Sequence, residues 1–379
     1  MNSNKRFKVL FISSWFPNKL EPTNGNFVQR HAEAVSLLHD VEILHAIGDS
    51  TQNEKFIFDD KVINGIRTLI VYYKNSKNPL LNFYRRMKAY QLGFKRVEKP
   101  DLVHGNVLHN NMLFAVYLKK KYKVPFVITE HWSAFLSVNQ NKLSKAKKFI
   151  AQKIAEKAEL IIPVSENLGN GLKNLEIKKP IEVIGNVIDT DLFSMNNGQK
   201  NEFIFLHISN LIPLKNPEKI IKVASKLYET HPYFQLQIGG DGNVEELKNW
   251  VKKYNAEAFT EVFGMIAHHE VAQKMKDASC FLLFSDMETQ GIVLLEAFSS
   301  GIPVIATRVG GIPETVDESR GILIEKNNEN ELLVVMKDIL DNKKIFGRPD
   351  EIRNYVLQNF SKKIIAKKFS EIYDLILKK

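Results

Sequence analysis

Two carboxylates eight positions apart, Glu288 and Glu296, bracket a glycine at position 291. They stand in the run Ser285-Asp286-Met287-Glu288-Thr289-Gln290-Gly291-Ile292-Val293-Leu294-Leu295-Glu296-Ala297, which follows an apolar stretch at 281–284. The spacing predicts a helix beginning near Gln290, with Glu288 in the loop before it and Glu296 nearly two turns inside it. A helix start leaves backbone N–H groups unpaired and carries partial positive charge, so it suits an anion. A side chain at position 291 would hold a phosphate away from those amides, and glycine has none. The two acids then suit the hydroxyl-bearing parts of the same ligand, Glu296 a ribose diol and Glu288 a sugar hydroxyl. A carboxylate accepts two such bonds in a fixed geometry. Taken alone, the same residues also fit two solvated glutamates, one in a loop and one on a helix face.

Other candidates lie in the first half. Pro22-Thr23-Asn24-Gly25-Asn26-Phe27-Val28-Gln29-Arg30-His31 is a glycine loop opening an amphipathic helix, suited to phosphate or sugar contact or to an ordinary turn. Thr129-Glu130-His131-Trp132-Ser133 closes an apolar run, where a histidine is either a ligand contact or a satisfied structural residue. Asp189-Thr190-Asp191 has the Asp-x-Asp form of a metal site but sits in a polar crossover between apolar residues. No His/Cys cluster suggests zinc, and no G-x-x-x-x-G-K-[ST] suggests a P-loop. Gly239-Gly240-Asp241-Gly242 lacks the spacing of a nicotinamide-binding turn.

These residues are positioned by short apolar runs that alternate with helical periods. In the first half the runs are 7–12, 41–44, 102–104, 126–128, 160–162 and 181–184. Helices fall at 27–38, near 80–97, near 110–121, near 143–157 and from Ser165. The second half repeats the rhythm, with strands at 203–206, 234–238, 261–263, 281–284 and 303–305, and helices that include 218–228 and 244–252. Such alternation predicts two parallel sheets, each covered on both faces, with ligands at the carboxyl ends of the strands. The polar stretch Ser194–Lys200 reads as the linker between them.

Composition excludes whole classes. With 44% hydrophobic and 25% charged residues the chain is an ordinary globular mix. No apolar run approaches the roughly 18–20 residues of a membrane span. The N-terminal residues run straight into an apolar strand without the pattern of a secretory signal, and the single Cys280 forms no internal disulfide, so a cytosolic protein is expected. Residues 1–185 hold 29 Lys/Arg against 16 Asp/Glu, a surplus of +13, while residues 186–379 hold 24 against 27. The bases cluster at 84–88 and 142–157 among apolar residues, which suits either an anionic membrane surface or a solvated lysine face. Without interleaved stacking aromatics they do not suggest a nucleic-acid partner.

In order and at these intervals, the blocks resemble the retaining family-4 glycosyltransferases of the GT-B fold over most of the chain. Glu288 and Glu296 match that family's E-x7-E pair within E-x-x-G-x-x-x-x-E-A. Ser300–Thr307 and Gly310-Gly311-Ile312-Pro313-Glu314 match the next blocks, and Gly239–Gly242 and Val262–Ile266 match earlier ones. Asn186 and Phe193 match an interdomain N-x-x-D-x-x-x-F segment. The resemblance implies two doubly wound, Rossmann-like α/β domains facing across a cleft, with a C-terminal helix crossing back to the first. The acceptor-side domain is then 1–188 plus 360–379, the linker 189–199 and the nucleotide-sugar domain 200–359.

It also implies the transfer of a sugar from a UDP- or GDP-linked donor to the hydroxyl of a glycan or lipid-linked acceptor. Retention, no metal, no cofactor and a part in cell-surface polysaccharide or glycolipid assembly come with it. So does a cytoplasmic location, peripheral at the inner membrane face through the basic half. Donor contacts would be Gly25, Asn26, Asn210, Lys215, Gly240, Ile266, Glu288, Thr289, Gln290, Gly291, Ile292 and Glu296, with the amides of 291 and 292 on the pyrophosphate. His131, Glu288 and Lys215 would be catalytic, Glu130 a further candidate for acceptor activation, and Trp132 a stacking surface. The chain departs from the family's G-R-L-x-x-x-K-G pattern: Asn210 replaces its arginine, and Ser209 and Asn216 replace glycines. Arg308 is a candidate to compensate. A nucleotide-sugar epimerase, or an inactive nucleotide-sugar-binding protein, would share this architecture.

Overall fold

The computed structural model describes residues 5–196, 198 and 202–378. The chain forms two compact units, residues 1–187 with 362–379, and residues 188–361.

In the first unit, β1 (Lys8–Ser13) leads to α1 (Asn26–Ser36), β2 (Asp40–Asp49), β3 (Phe56–Ile63), β4 (Ile66–Lys74) and α2 (Pro79–Phe94). There follow β5 (Leu102–Asn106), α3 (Leu113–Tyr122), β6 (Phe126–Glu130), α4 (Lys145–Ala155), β7 (Ile161–Pro163) and α5 (Glu166–Asn174). The sheet order is β3-β4-β2-β1-β5-β6-β7. All pairings are parallel except the β3–β4 hairpin. Five of the six residues of β1 are buried, as a central parallel strand covered on both faces requires. From β1 the order runs outward to β2 and β4, then returns to β5 on the other side. The crevice between the loops after β1 and β5 is therefore the topological switch point, where such sheets bind ligands.

The second unit repeats the plan with β8 (Phe203–Ser209), α6 (Pro217–Tyr228), β9 (Phe234–Gly240), α7 (Val244–Lys253), β10 (Thr260–Phe263) and α8 (His268–Asp277). It continues through β11 (Cys280–Leu283), α9 (Ile292–Ser299), β12 (Val304–Thr307), β13 (Gly321–Ile324), α10 (Glu329–Leu340) and α11 (Pro349–Asn359). Its order is β10-β9-β8-β11-β12-β13, which puts the switch point between β8 and β11. The last helix, α12 (Lys362–Leu377), returns to the first unit. There its Ile365, Ala366, Phe369, Ile372 and Tyr373 join the core formed by β1 and α1.

Several local expectations change. The β3–β4 hairpin fills part of 45–79, a stretch given no element above although Leu69-Ile70-Val71-Tyr72-Tyr73 is an apolar run of strand length. Its turn is Asn64-Gly65, both at positive φ (48° and 80°), the conformation a two-residue hairpin turn needs. The run 181–184 forms no strand. Ile181 makes only an isolated bridge to Ile161, because β7 is three residues long and ends in Pro163, which has no N–H to extend a ladder. The segment 188–193 is no free linker: Phe193 is fully buried in the second unit, and Arg353 donates to the carbonyls of Phe193 (2.6 Å) and Thr190 (2.7 Å). In the expected linker, Asn197, Gln199 and Lys200 lie outside the described residues, as do Met1–Asn4 at the N-terminus.

Candidate active site

The loops after β8 and β11 meet at the second switch point. The β8 loop turns through Pro213–Lys215 and ends at Asn216, which starts α6 in the left-handed conformation (φ 50°). Asparagine tolerates that conformation better than other residues with a side chain, so it can stand where the family uses glycine. It also adds what glycine lacks: its Nδ2 donates to the Phe284 carbonyl at 3.0 Å and to Asp286 Oδ1 at 2.8 Å. The Asp286 N–H donates back to the Leu214 carbonyl at 2.7 Å. Ser209, the other departure, lies in extended strand and accepts the Leu211 N–H at 3.1 Å through its hydroxyl. Beneath it His207 is fully buried, Nδ1 on the Leu282 carbonyl at 2.9 Å and Nε2 on Ser209 Oγ at 3.0 Å. Burial pushes that imidazole down to about 4, so it is neutral.

Across these loops Lys215 Nζ bonds Glu288 Oε1 at 2.5 Å, both side chains largely buried. Gly310 makes room for Glu288: at φ 55°, a Cβ there would sit 1.6 Å from the Glu288 carbonyl oxygen. Gly240 does the same at the end of β9, where a Cβ would sit 1.9 Å from the Ser209 carbonyl. The helix after Glu288 begins at Ile292 rather than near Gln290, because Gly291 at φ 81° forms the N-cap. A Cβ at 291 would meet protein atoms only at ordinary contact distance, so inside the protein the backbone conformation is what calls for glycine. Thr289 is half-buried and Gln290 buried, both ahead of the helix. Glu296 is therefore the fifth helical residue, little more than one turn in. Far from solvated, it is 7% exposed and lies 3.4 Å from His268 Nε2 at the start of α8.

Lys215, Gly240, Glu288, Gly291, Ile292 and Glu296 are thus gathered on the carboxyl edge of one sheet. Asn210 is exposed on the β8 loop, and Ile266 is half-buried between β10 and α8. Arg308 is an exposed surface residue paired with Glu325 at 3.1 Å. Four residues of this edge were not expected as contacts: Asn216, Asp286, His268 and Gly310. The signal for Asn216 was its place in a glycine position; His268 carried none. Among the described residues no group of three or more His, Cys, Asp or Glu could hold a metal. In the crossover turn Asp189 Oδ1 accepts the Leu192 N–H at 3.2 Å.

The first unit brings its own candidates together. Gly25, at φ 76°, would place a Cβ 2.4 Å from the Trp15 carbonyl, so the loops before α1 touch backbone to backbone. Asn26 is exposed at the start of α1. His131 is 7% exposed, its ring 4.1 Å from that of Phe27, and its Nε2 is buried with no hydrogen-bond partner. Burial holds it well below the usual imidazole range, so it is neutral. Glu130, the further candidate for acceptor activation, is fully buried. Its Oε1 accepts the N–H groups of His131 (2.8 Å) and Trp132 (2.6 Å), and its Oε2 accepts that of Leu108 (2.5 Å). Burial raises its pKa to about 7 against these bonds. With both oxygens engaged, it ties the loops after β5 and β6 together.

Two doubly wound sheets in one chain, each with polar loops at its switch point, are the architecture of the GT-B fold. The sequence comparisons agree: the profile "Glycosyltransferase Family 4" matches residues 25–192, and "Glycosyl transferases group 1" matches residues 188–358. The chain belongs to the family-4 glycosyltransferases. It is 29% identical to an uncharacterized glycosyltransferase of Methanocaldococcus jannaschii, over 75% of this chain and 76% of that protein. It is 23% identical to the sulfoquinovosyl transferase of Arabidopsis thaliana, over 72% of this chain and 57% of that one. Among solved structures, the sucrose-phosphate synthase of Thermosynechococcus elongatus matches with TM-score 0.79 at 18% identity, over 98% of this chain and all of that one. The Anabaena protein HepE, in complex with UDP and glucose, matches with TM-score 0.74 at 19% identity over the same shares.

Proposed function

We propose that the chain moves a hexose from a UDP- or GDP-linked donor to the hydroxyl of a glycan or lipid-linked acceptor, with retention of configuration. The observation that carries this is the Lys215–Glu288 ion pair beside the Gly291 helix start, at the switch point of the second sheet. When donor binds, Lys215 leaves Glu288 for the diphosphate, the amides of Gly291 and Ile292 take its oxygens, Glu296 holds the ribose, and Glu288 is freed for the sugar. Neutral His131 offers a ring N–H to that sugar. The bond from the anomeric carbon to the diphosphate oxygen then breaks. The acceptor oxygen bonds that carbon on the same face, and its proton passes to the departing phosphate oxygen.

The protein supplies orientation and charge stabilisation rather than a strong base. Lys215 and the amides meet the leaving charge, so the step calls on no metal. Asn210 contributes a hydrogen bond where the family has a cation. HepE in complex with UDP-glucose supports a nucleotide-sugar donor. We place the protein in the cytoplasm, at the inner membrane face, in polysaccharide or glycolipid assembly. Leu80 and Tyr84 on α2 and Phe149 on α4 are exposed among lysines and arginines, and each such cation contributes about 1 kcal/mol near anionic lipid. Among the described residues no helix is long and apolar enough to cross a membrane.

The test is a thermal-shift panel of nucleotides and nucleotide sugars, since a ligand that binds only the folded state raises its melting temperature. One nucleoside diphosphate should stabilise the wild type and fail to stabilise Glu296→Ala. Equal shifts in both proteins would contradict the assignment. Donor consumed without an acceptor would mark an epimerase, and donor bound without turnover an inactive binder.

A further inference from the structure

The first sheet's switch point carries a charge imbalance that the donor assignment leaves unused. Arg86, on α2, donates from Nη2 to Asn110 Oδ1 at 2.9 Å, and its Nε is buried with no hydrogen-bond partner. Asn110 and His109 lie in the turn after β5. From the other side, α4 brings Lys147 Nζ to 5.9 Å from the Trp132 ring centre, and that ring stands 6.0 Å from His109. Two cations on different helices therefore flank the turn that carries His109, Arg86 through Asn110 and Lys147 through Trp132. Burial first, then the charges of Arg86 and Lys147, hold the His109 imidazole below its usual range. Neither cation has a carboxylate within ion-pair distance among the described residues.

A ligand carrying about two negative charges would be attracted by both cations. A phosphate ester carries about −1.5 to −2 at neutral pH. A guanidinium can take two of its oxygens side by side, for which Arg86 Nη2 would exchange Asn110 Oδ1 for the ligand, and a tryptophan face packs on the adjoining alcohol or sugar. The turn is held in advance: Val107 is fixed at φ 69°, a conformation costly for a β-branched residue, and Glu130 grips the next N–H, that of Leu108. Resting on the donor assignment above, we propose that Arg86, Lys147 and His109 form the acceptor subsite. The acceptor is then a phosphate-bearing alcohol whose phosphate the two cations grip.

The test is titration of the full chain, with the donor site saturated by UDP or GDP. One probe is soluble glycerol 1-phosphate; the other is phosphatidylcholine vesicles with and without lysophosphatidic acid, a lipid phosphate monoester that keeps a free hydroxyl. The arms separate a soluble from a lipid-borne phosphate. The wild type should bind at least one probe, and Arg86→Gln and Lys147→Gln should each weaken it about tenfold or more while nucleotide binding is kept. Lys147 is exposed, so K147Q carries the test should R86Q lose its fold. Equal binding by all three proteins, or no binding of either probe by the wild type, overturns the acceptor subsite. If nucleotide fails to bind while the probes still depend on Arg86 and Lys147, the donor assignment falls instead.

Discussion

At the second sheet's switch point each acid has a side-chain partner: Lys215 pairs with Glu288, Lys326 lies 3.9 Å from Asp286, and the His268 ring lies 3.4 Å from Glu296. At the first sheet's switch point Arg86 and Lys147 face a neutral histidine, and the nearby acid, Glu130, is spent on backbone N–H groups. Both are crevices of the same topology, so the contrast is one of side chains rather than fold. A paired site is stable when empty and exchanges one partner for an incoming diphosphate. An unbalanced cationic site has no internal partner to exchange, and its charge is met only by what binds. The surplus of +13 in residues 1–185 is in part concentrated where a ligand would use it.

The largest effect should come from breaking the paired side. Lys215→Ala is expected to lower kcat about 100- to 1,000-fold, the usual consequence of removing one stabilising group from a developing anion. Steady-state kinetics check it, and a change under about tenfold would argue that Lys215 does not meet the leaving group. Next, Gly310→Ala forces a Cβ against the Glu288 carbonyl at a backbone conformation strained for alanine. It should cost about 1–3 kcal/mol by denaturant unfolding and displace Glu288, reducing turnover as well. Gly25→Ala makes the matching clash in the first unit and should destabilise by a similar amount while leaving the Lys215–Glu288 pair in place.

Acid should separate the units. His31 and His45 are buried in the first unit, and burial lowers both from 6.5 to about 4; His104 and His131 are lowered further. Between pH 6.5 and 4 the unfolded chain takes up protons that these folded histidines refuse. Stability is therefore complete above 6.5 and falls as pH drops, by up to about 3 kcal/mol for each of His31 and His45. Glu130, raised to about 7, works the other way between 7 and 4.5, but it is one group against several. In the second unit burial lowers His207 in this way. Hydrogen exchange at about pH 5 should show the first unit losing protection before the second; simultaneous loss would contradict this. The smallest effect is expected from Asn216. Asn216→Gly keeps the left-handed turn and loses two side-chain bonds, so it should cost about 1 kcal/mol by denaturant unfolding, and Asn216→Ala more.

The strand–helix alternation, the restart after residue 200 and the Glu288/Glu296 frame were legible because they rest on apolar period and short-range spacing. The β3–β4 hairpin was legible in its Asn64-Gly65 turn and in the apolar run Leu69-Ile70-Val71-Tyr72-Tyr73 of β4, whereas β3 mixes polar and apolar residues without a clean period. What was hidden depends on distance in sequence. His268 reaches Glu296 from the far side of β11, and Gly310 clears room for a carbonyl 22 positions earlier. Glu130 was a further candidate for acceptor activation because sequence gives its type but not the three backbone N–H groups bonded to it. Arg86 and Lys147 read as separate arginine-rich and lysine-rich stretches until the fold set α2 and α4 on either side of His109.

The central claim is best tested by a crystal structure of the full chain with the nucleoside diphosphate that gives the largest thermal shift. The diphosphate should lie within hydrogen-bonding distance of the Gly291 and Ile292 amides and of Lys215 Nζ, now released from Glu288, with the ribose diol on Glu296. A nucleotide bound elsewhere, with the Lys215–Glu288 and His268–Glu296 pairs intact, would contradict it.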